Sequence, residues 1–75
     1  MDPSLTLQLE NKISAVAECN LQLKNRGLPP DDAEYTLKIK NQYLKEIKAL
    51  LDQDAKLIHH PGLLRIEADL THGHS

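Results

Sequence analysis

The stretch Asn25 to Glu34, NRGLPPDDAE, decides the fold. It is either a loose break between unrelated segments or a built turn that folds one helix back on another. Its residues favour the turn. Gly27 suits the left-handed position that ends a helix, and Leu28 can then pack back on Leu23 as in a Schellman motif. Pro29 and Pro30 stiffen the crossing. Asp31 is placed to cap the next helix, and Glu34, three residues later, completes a capping-box pattern with Pro30 and Tyr35 at the staple positions. Gly27 to Pro30 is then the loop, within the ~2–5 residues typical of antiparallel helix pairs.

Upstream, Asp2 is a good N-cap and Pro3 a good first helical residue. Leu5, Leu9, Ile13, Val16, Cys19 and Leu23 recur at steps of four and three, a narrow apolar stripe at helical period. The spacing predicts a helix over about 3–26. Downstream, a second helix is expected over about 32–59, stopped by Pro61 in HHPG. Leu37, Leu44, Leu51 and Ile58 lie seven apart, with Ala33 and Ile47 beside them. This is a heptad seam interrupted by Lys40 and Asp54.

The second helix also carries Ile39, Tyr43, Leu50 and Leu57 beside that seam. Its apolar arc spans roughly half the circumference, wider than the ~100° of a helix packed on one core. The hairpin core is therefore read as Leu9, Ile13, Val16 and Leu23 against Leu37, Leu44, Ile47 and Leu51. One neighbouring helix covers one stripe, so the second needs another cover. The tail is one candidate: Leu63, Ile66 and Leu70 share a helical face, in a short third helix or a docked extended segment. A partner chain is the other, and it is preferred because the tail is short. Ile39, Tyr43, Leu50, Leu57, Leu63, Ile66 and Leu70 are accordingly assigned to a partner interface. The expected fold is all-α: an antiparallel helical hairpin over 1–60, then a docking segment and flexible tail over 61–75, completing a bundle with a partner.

Composition points the same way. With 75 residues, no Phe and no Trp, the chain makes one small domain with a thin aliphatic core. Small domains commonly need a staple, and the single Cys19 cannot form a disulfide within the chain. A partner subunit is the remaining staple. No apolar run approaches the ~20 residues of a membrane span, and MDPSLTLQLEN lacks the pattern of a secretory signal. An intracellular protein, cytoplasmic or nuclear, is expected.

Residues with chemistry are sparse. His59, His60, His72, His74 and Cys19 are the candidate metal ligands, but a site needs three or four donors converging at fixed distances. Cys19 sits on an apolar stripe, where a buried inert thiol is the ordinary case. No metal or cofactor is expected. Helix-start chemistry accounts for Asp31, Asp32 and Glu34, and no glycine-rich loop follows a strand, so no enzyme is expected. Lys38, Lys40, Lys45 and Lys48 surround Tyr43. Glu34, Glu46 and Asp52 dilute them, the net charge is −2, and arginine occurs only at Arg26 and Arg65. A solvated face is the plain account. The runner-up function is a small dimeric nucleic-acid-associated regulator using Lys38, Lys45 and Lys48. The favoured function is a non-enzymatic protein–protein interaction module. It would be a small subunit or adaptor that dimerises, or joins a larger complex, through a coiled-coil-like four-helix interface.

Overall fold

The computed structural model describes residues 3–72. It is all-helical: α1 (Pro3–Leu23), α2 (Pro30–Gln53), 3-10 segments over Ala55–His59 and Pro61–Ile66, and α3 (Glu67–His72). No strand occurs among the described residues. Gln22, late in α1, meets Thr36, early in α2, while Lys12 in mid-α1 meets Glu46 further along α2. That opposite order is compatible with a helical hairpin.

α1 begins at Pro3; the expected cap, Asp2, lies outside the described residues. α1 ends at Leu23, short of Arg26, because Asn25 builds the turn. The Asn25 N–H donates to the Gln22 carbonyl at 3.0 Å, and the Leu28 N–H donates to the Asn25 carbonyl at 3.1 Å. The Asn25 side chain also accepts from the Gly27 N–H at 3.0 Å. An Asx turn of this kind needs no left-handed residue, and no described residue has positive φ. The Schellman role expected of Gly27 is corrected accordingly. α2 starts at Pro30 with Pro29 at the cap position, and no side chain caps it. The capping box of Asp31 and Glu34 is not formed. Proline at the first helical position brings its own φ and has no N–H to satisfy, so the helix starts one residue before Asp31. Asp31 and Asp32 sit in the first turn, where acids suit the helix dipole.

α2 stops at Gln53, not His59. Asp54 is extended (φ −141, ψ 101), and its N–H closes the last turn on the Leu50 carbonyl. Its carboxylate accepts from the Lys56 N–H at 3.1 Å. Aspartate offers the backbone this local bond in place of the helical ladder. His60 repeats the device, its Nδ1 accepting from the Gly62 N–H at 2.9 Å, with Pro61 opening the next segment.

From here the side-chain period is three. Residues i and i+3 of a 3-10 helix lie above one another, and Leu57, Leu63 and Ile66 turn inward at 7%, 7% and 1% exposure. They join Leu9, Ile13 and Val16 of α1 and Leu44, Ile47 and Leu50 of α2 in one buried cluster, with Leu5, Tyr43, Leu51 and Leu70 packed around it. Gly62 lets the tail lie close: a Cβ there would stand 3.2 Å from Ile13 Cδ1 and 3.0 Å from the His60 ring.

The tail therefore completes the buried cluster within this chain. Leu50, Leu57, Leu63 and Ile66, assigned from sequence to a partner, are internal to this chain. A 3-10 segment rises ~2.0 Å per residue against ~1.5 Å for an α-helix, so a short tail reaches further than its residue count suggests. Ile66→Ala should lower the monomer's stability by ~2–5 kcal/mol in urea unfolding at high dilution, while Leu64→Ala, at a site 73% exposed, should change it by less than ~0.5 kcal/mol. Equal, small effects at both positions would show that the tail does not complete the core.

Candidate partner-binding groove

The inward row of α2 is Thr36, Lys40, Tyr43, Ile47 and Leu50, spaced four, three, four, three. The sequence seam through Leu37, Leu44, Leu51 and Ile58 lies beside it. Leu44 is buried at 5% and Leu51 is half-buried, but Leu37 and Ile58 are exposed at 45% and 62%. Leu37, expected in the core, lies outside it, because Thr36 takes the inward place. Of the other expected core residues, Leu9, Ile13, Val16 and Ile47 are buried and Leu23 is half-buried. Ile39, Tyr43 and Leu70, expected at a partner interface, are half-buried.

Each polar member of the row has a partner. Thr36 Oγ1 lies 3.4 Å from Gln22 Oε1. Lys40 Nζ pairs with Asp69 Oδ1 at 2.7 Å, and Asp69 Oδ2 accepts from Asn20 Nδ2 at 2.9 Å. This three-way contact ties α3 to both long helices. Lys12 Nζ pairs with Glu46 Oε1 at 2.6 Å and stands 5.9 Å from the centre of the Tyr43 ring. Hydrogen bonds from Lys12 and Gln42 hold the Glu46 carboxyl below the usual carboxylate range. Burial pushes the Cys19 thiol up, against the pull of the Lys40 charge, which keeps it protonated and unreactive. No buried side-chain nitrogen or oxygen is unpartnered among the described residues.

A second period-three row of the tail comprises Ile58, Leu64 and Glu67, which are exposed, and Leu70, which is half-buried at the core's edge. With Lys48 and Leu51 of α2, and with Leu63 and Thr71, it lines a groove of ≈ 440 Å³. Ile58 and Leu64 stand proud of it at 62% and 73% exposure. Sequence reasoning placed Ile58 in the hairpin seam and did not single out Leu64. The spacing of three from Asp54 onward was the available signal.

Other hollows are more polar. One of ≈ 710 Å³ at the bundle end is lined by Leu5, Thr6, Gln53, Asp54, Lys56, Leu57, His59 and His60. His60 is already engaged there: Nδ1 takes the Gly62 N–H and Nε2 lies 3.2 Å from Glu10 Oε1. An Nδ1 that accepts is unprotonated, so in the neutral ring Nε2 carries the hydrogen and donates to Glu10. Among the described residues no group of three or more His, Cys, Asp or Glu is placed to hold a metal ion; His74 lies outside them. Of the lysines weighed for nucleic acid, Lys40 is held by Asp69, while Lys38, Lys45 and Lys48 are exposed. No helix among the described residues is long and apolar enough to cross a membrane.

No family model, curated protein or solved structure matches the chain.

The Lys12–Glu46 pair has a pH signature. A carboxyl held low in the folded state adds stability above its unfolded pKa, and that stability is lost as pH falls through the folded value. Wild type should exceed Glu46→Gln in urea midpoint at neutral pH, by a small margin because the pair is partly exposed. The margin should close in acid and shrink in high salt. A margin independent of pH would show that the charge of Glu46 does not contribute.

Proposed function

We propose that this chain is a non-enzymatic interaction module, a small helical subunit or adaptor that docks a partner protein on the groove between the C-terminal half of α2 and the tail. The observation that carries this reading is the pairing of Ile58 and Leu64. Two large aliphatic side chains stay in water at 62% and 73% exposure, beside an apolar depression, although the chain has already closed its own core. Single exposed aliphatics are ordinary on protein surfaces; clustered ones flanking a groove mark interaction sites. Complete burial of each side chain contributes ~1.5–3 kcal/mol, and a few such anchors dominate a typical interface.

The surrounding architecture suits the task. The helical hairpin with its tail packed against it is the frame, and a helix laid in the groove would make a four-helix arrangement. The docking face is thereby moved from the Leu50–Leu57 stripe, now internal, to Leu51, Ile58, Leu64 and Leu70. The exposed lysines Lys38 and Lys45 are a solvated face in this account, while Lys48 lines the groove.

A photo-crosslinking residue at position 64, in cells that make the protein, should give defined protein adducts that Ile58→Asp abolishes. The same probe at position 21, exposed at 63% outside the groove, should give none of them. Equal labelling from both positions would contradict the reading. Salt-sensitive nucleic-acid adducts in place of protein ones would favour the regulator instead.

A further inference from the structure

We infer that the occupant of the groove is a second copy of this chain, docked about a two-fold axis. This rests on the groove being the docking site. A two-fold interface uses one patch on both partners, so the patch must complement itself in shape and in charge. This patch meets both demands. It has projections, Ile58 and Leu64, and it has a depression floored by Leu63, with Leu51 and Leu70 among its lining. The projections of one copy fit the depression of the other.

The charges are balanced in the same way. The groove is lined by one basic residue from α2, Lys48, and one acidic residue from α3, Glu67. Both side chains are exposed, and neither forms a salt bridge within the chain among the described residues. A two-fold rotation sets Lys48 of each copy against Glu67 of the other, making two equivalent pairs. A strongly basic or acidic partner helix would leave one of these charges opposed, whereas a copy of the chain matches both.

The contact is also long enough. Leu37, Leu44, Lys48 and Leu51 fall within about 60° of one another on α2 at 100° per residue. Leu37, exposed at 45%, therefore lies on the same face of α2 as the groove. From Leu37 to Leu51 the strip runs about 21 Å along the helix. A small chain with a thin aliphatic core gains stability from such burial as well as a partner.

Sedimentation equilibrium on the full chain, with exchange of the two charges, tests this directly. Wild type should be dimeric at micromolar concentration. Lys48→Glu and Glu67→Lys should each weaken the dimer about tenfold or more, since each places two like-charge pairs across the axis. The double variant should recover the dimer, and an equimolar mixture of the two single variants should form the heterodimer. Leu64→Asp should be monomeric with unchanged helix content by circular dichroism. A wild-type chain that stays monomeric at about 100 μM overturns the inference, as does a dimer indifferent to Leu64→Asp and to both charge reversals. If that monomer still yields another protein as the Ile58-dependent adduct of position 64, self-association falls and the docking reading stands. If it yields no such adduct, both fall.

Discussion

Burial of Leu57, Leu63 and Ile66 against α1 and α2 is the interaction on which the rest of the structure depends. α2 carries a wider apolar arc than α1 can cover, and an uncovered stripe of leucine and isoleucine is costly in water. The tail relieves that cost through local devices. Asp54 ends the helix with its own side chain, His60 and Pro61 restart the chain, and Gly62 lets it approach Ile13. Asp69, reaching Lys40 and Asn20, fixes where the tail lies. Apolar burial supplies the driving force, and the polar contacts select one arrangement among the many that burial alone would allow.

This division explains which parts of the fold were legible in the sequence. The α1 stripe of Leu9, Ile13 and Val16 contains no polar interruption, and it was read as it stands. On α2 the row richest in leucine is not the most buried one. Leu37, Leu44, Leu51 and Ile58 form the better heptad in letters, yet Thr36, Lys40 and Tyr43 hold inward places. Those polar residues are tolerated because Gln22, Asp69 and Lys12 lie opposite them. Their partners come from α1 and from the tail, 29 residues away for Lys40 and Asp69 and 31 for Tyr43 and Lys12, so no window on α2 alone could reveal them. The loop failed for a similar reason. Glycine and aspartate are the usual turn-makers, but Asn25 and Pro30 satisfied the same backbone groups first.

The candidate site follows from what the core leaves over. A period of three from Asp54 onward sorts the tail into two rows. One row, Leu57, Leu63 and Ile66, closes the core; the other, Ile58, Leu64 and Leu70, borders a groove that no described residue fills. Aliphatic excess on α2 signalled a need for further burial, and the chain's own tail meets part of it through Leu57, Leu63 and Ile66. The surface so formed combines apolar projections with one charge of each sign, and that composition bears more on what it contacts than on any reaction.

Native-state hydrogen exchange of the backbone amides tests the central claim, that the tail completes the core within one chain. The amides of Leu57, His60 and Leu63, bonded within the tail, should exchange through the same global opening as those of Ile13 and Ile47, with free energies that equal theirs at every protein concentration. Tail amides that exchange freely while α1 and α2 remain protected, or that gain protection only as concentration rises, would contradict it.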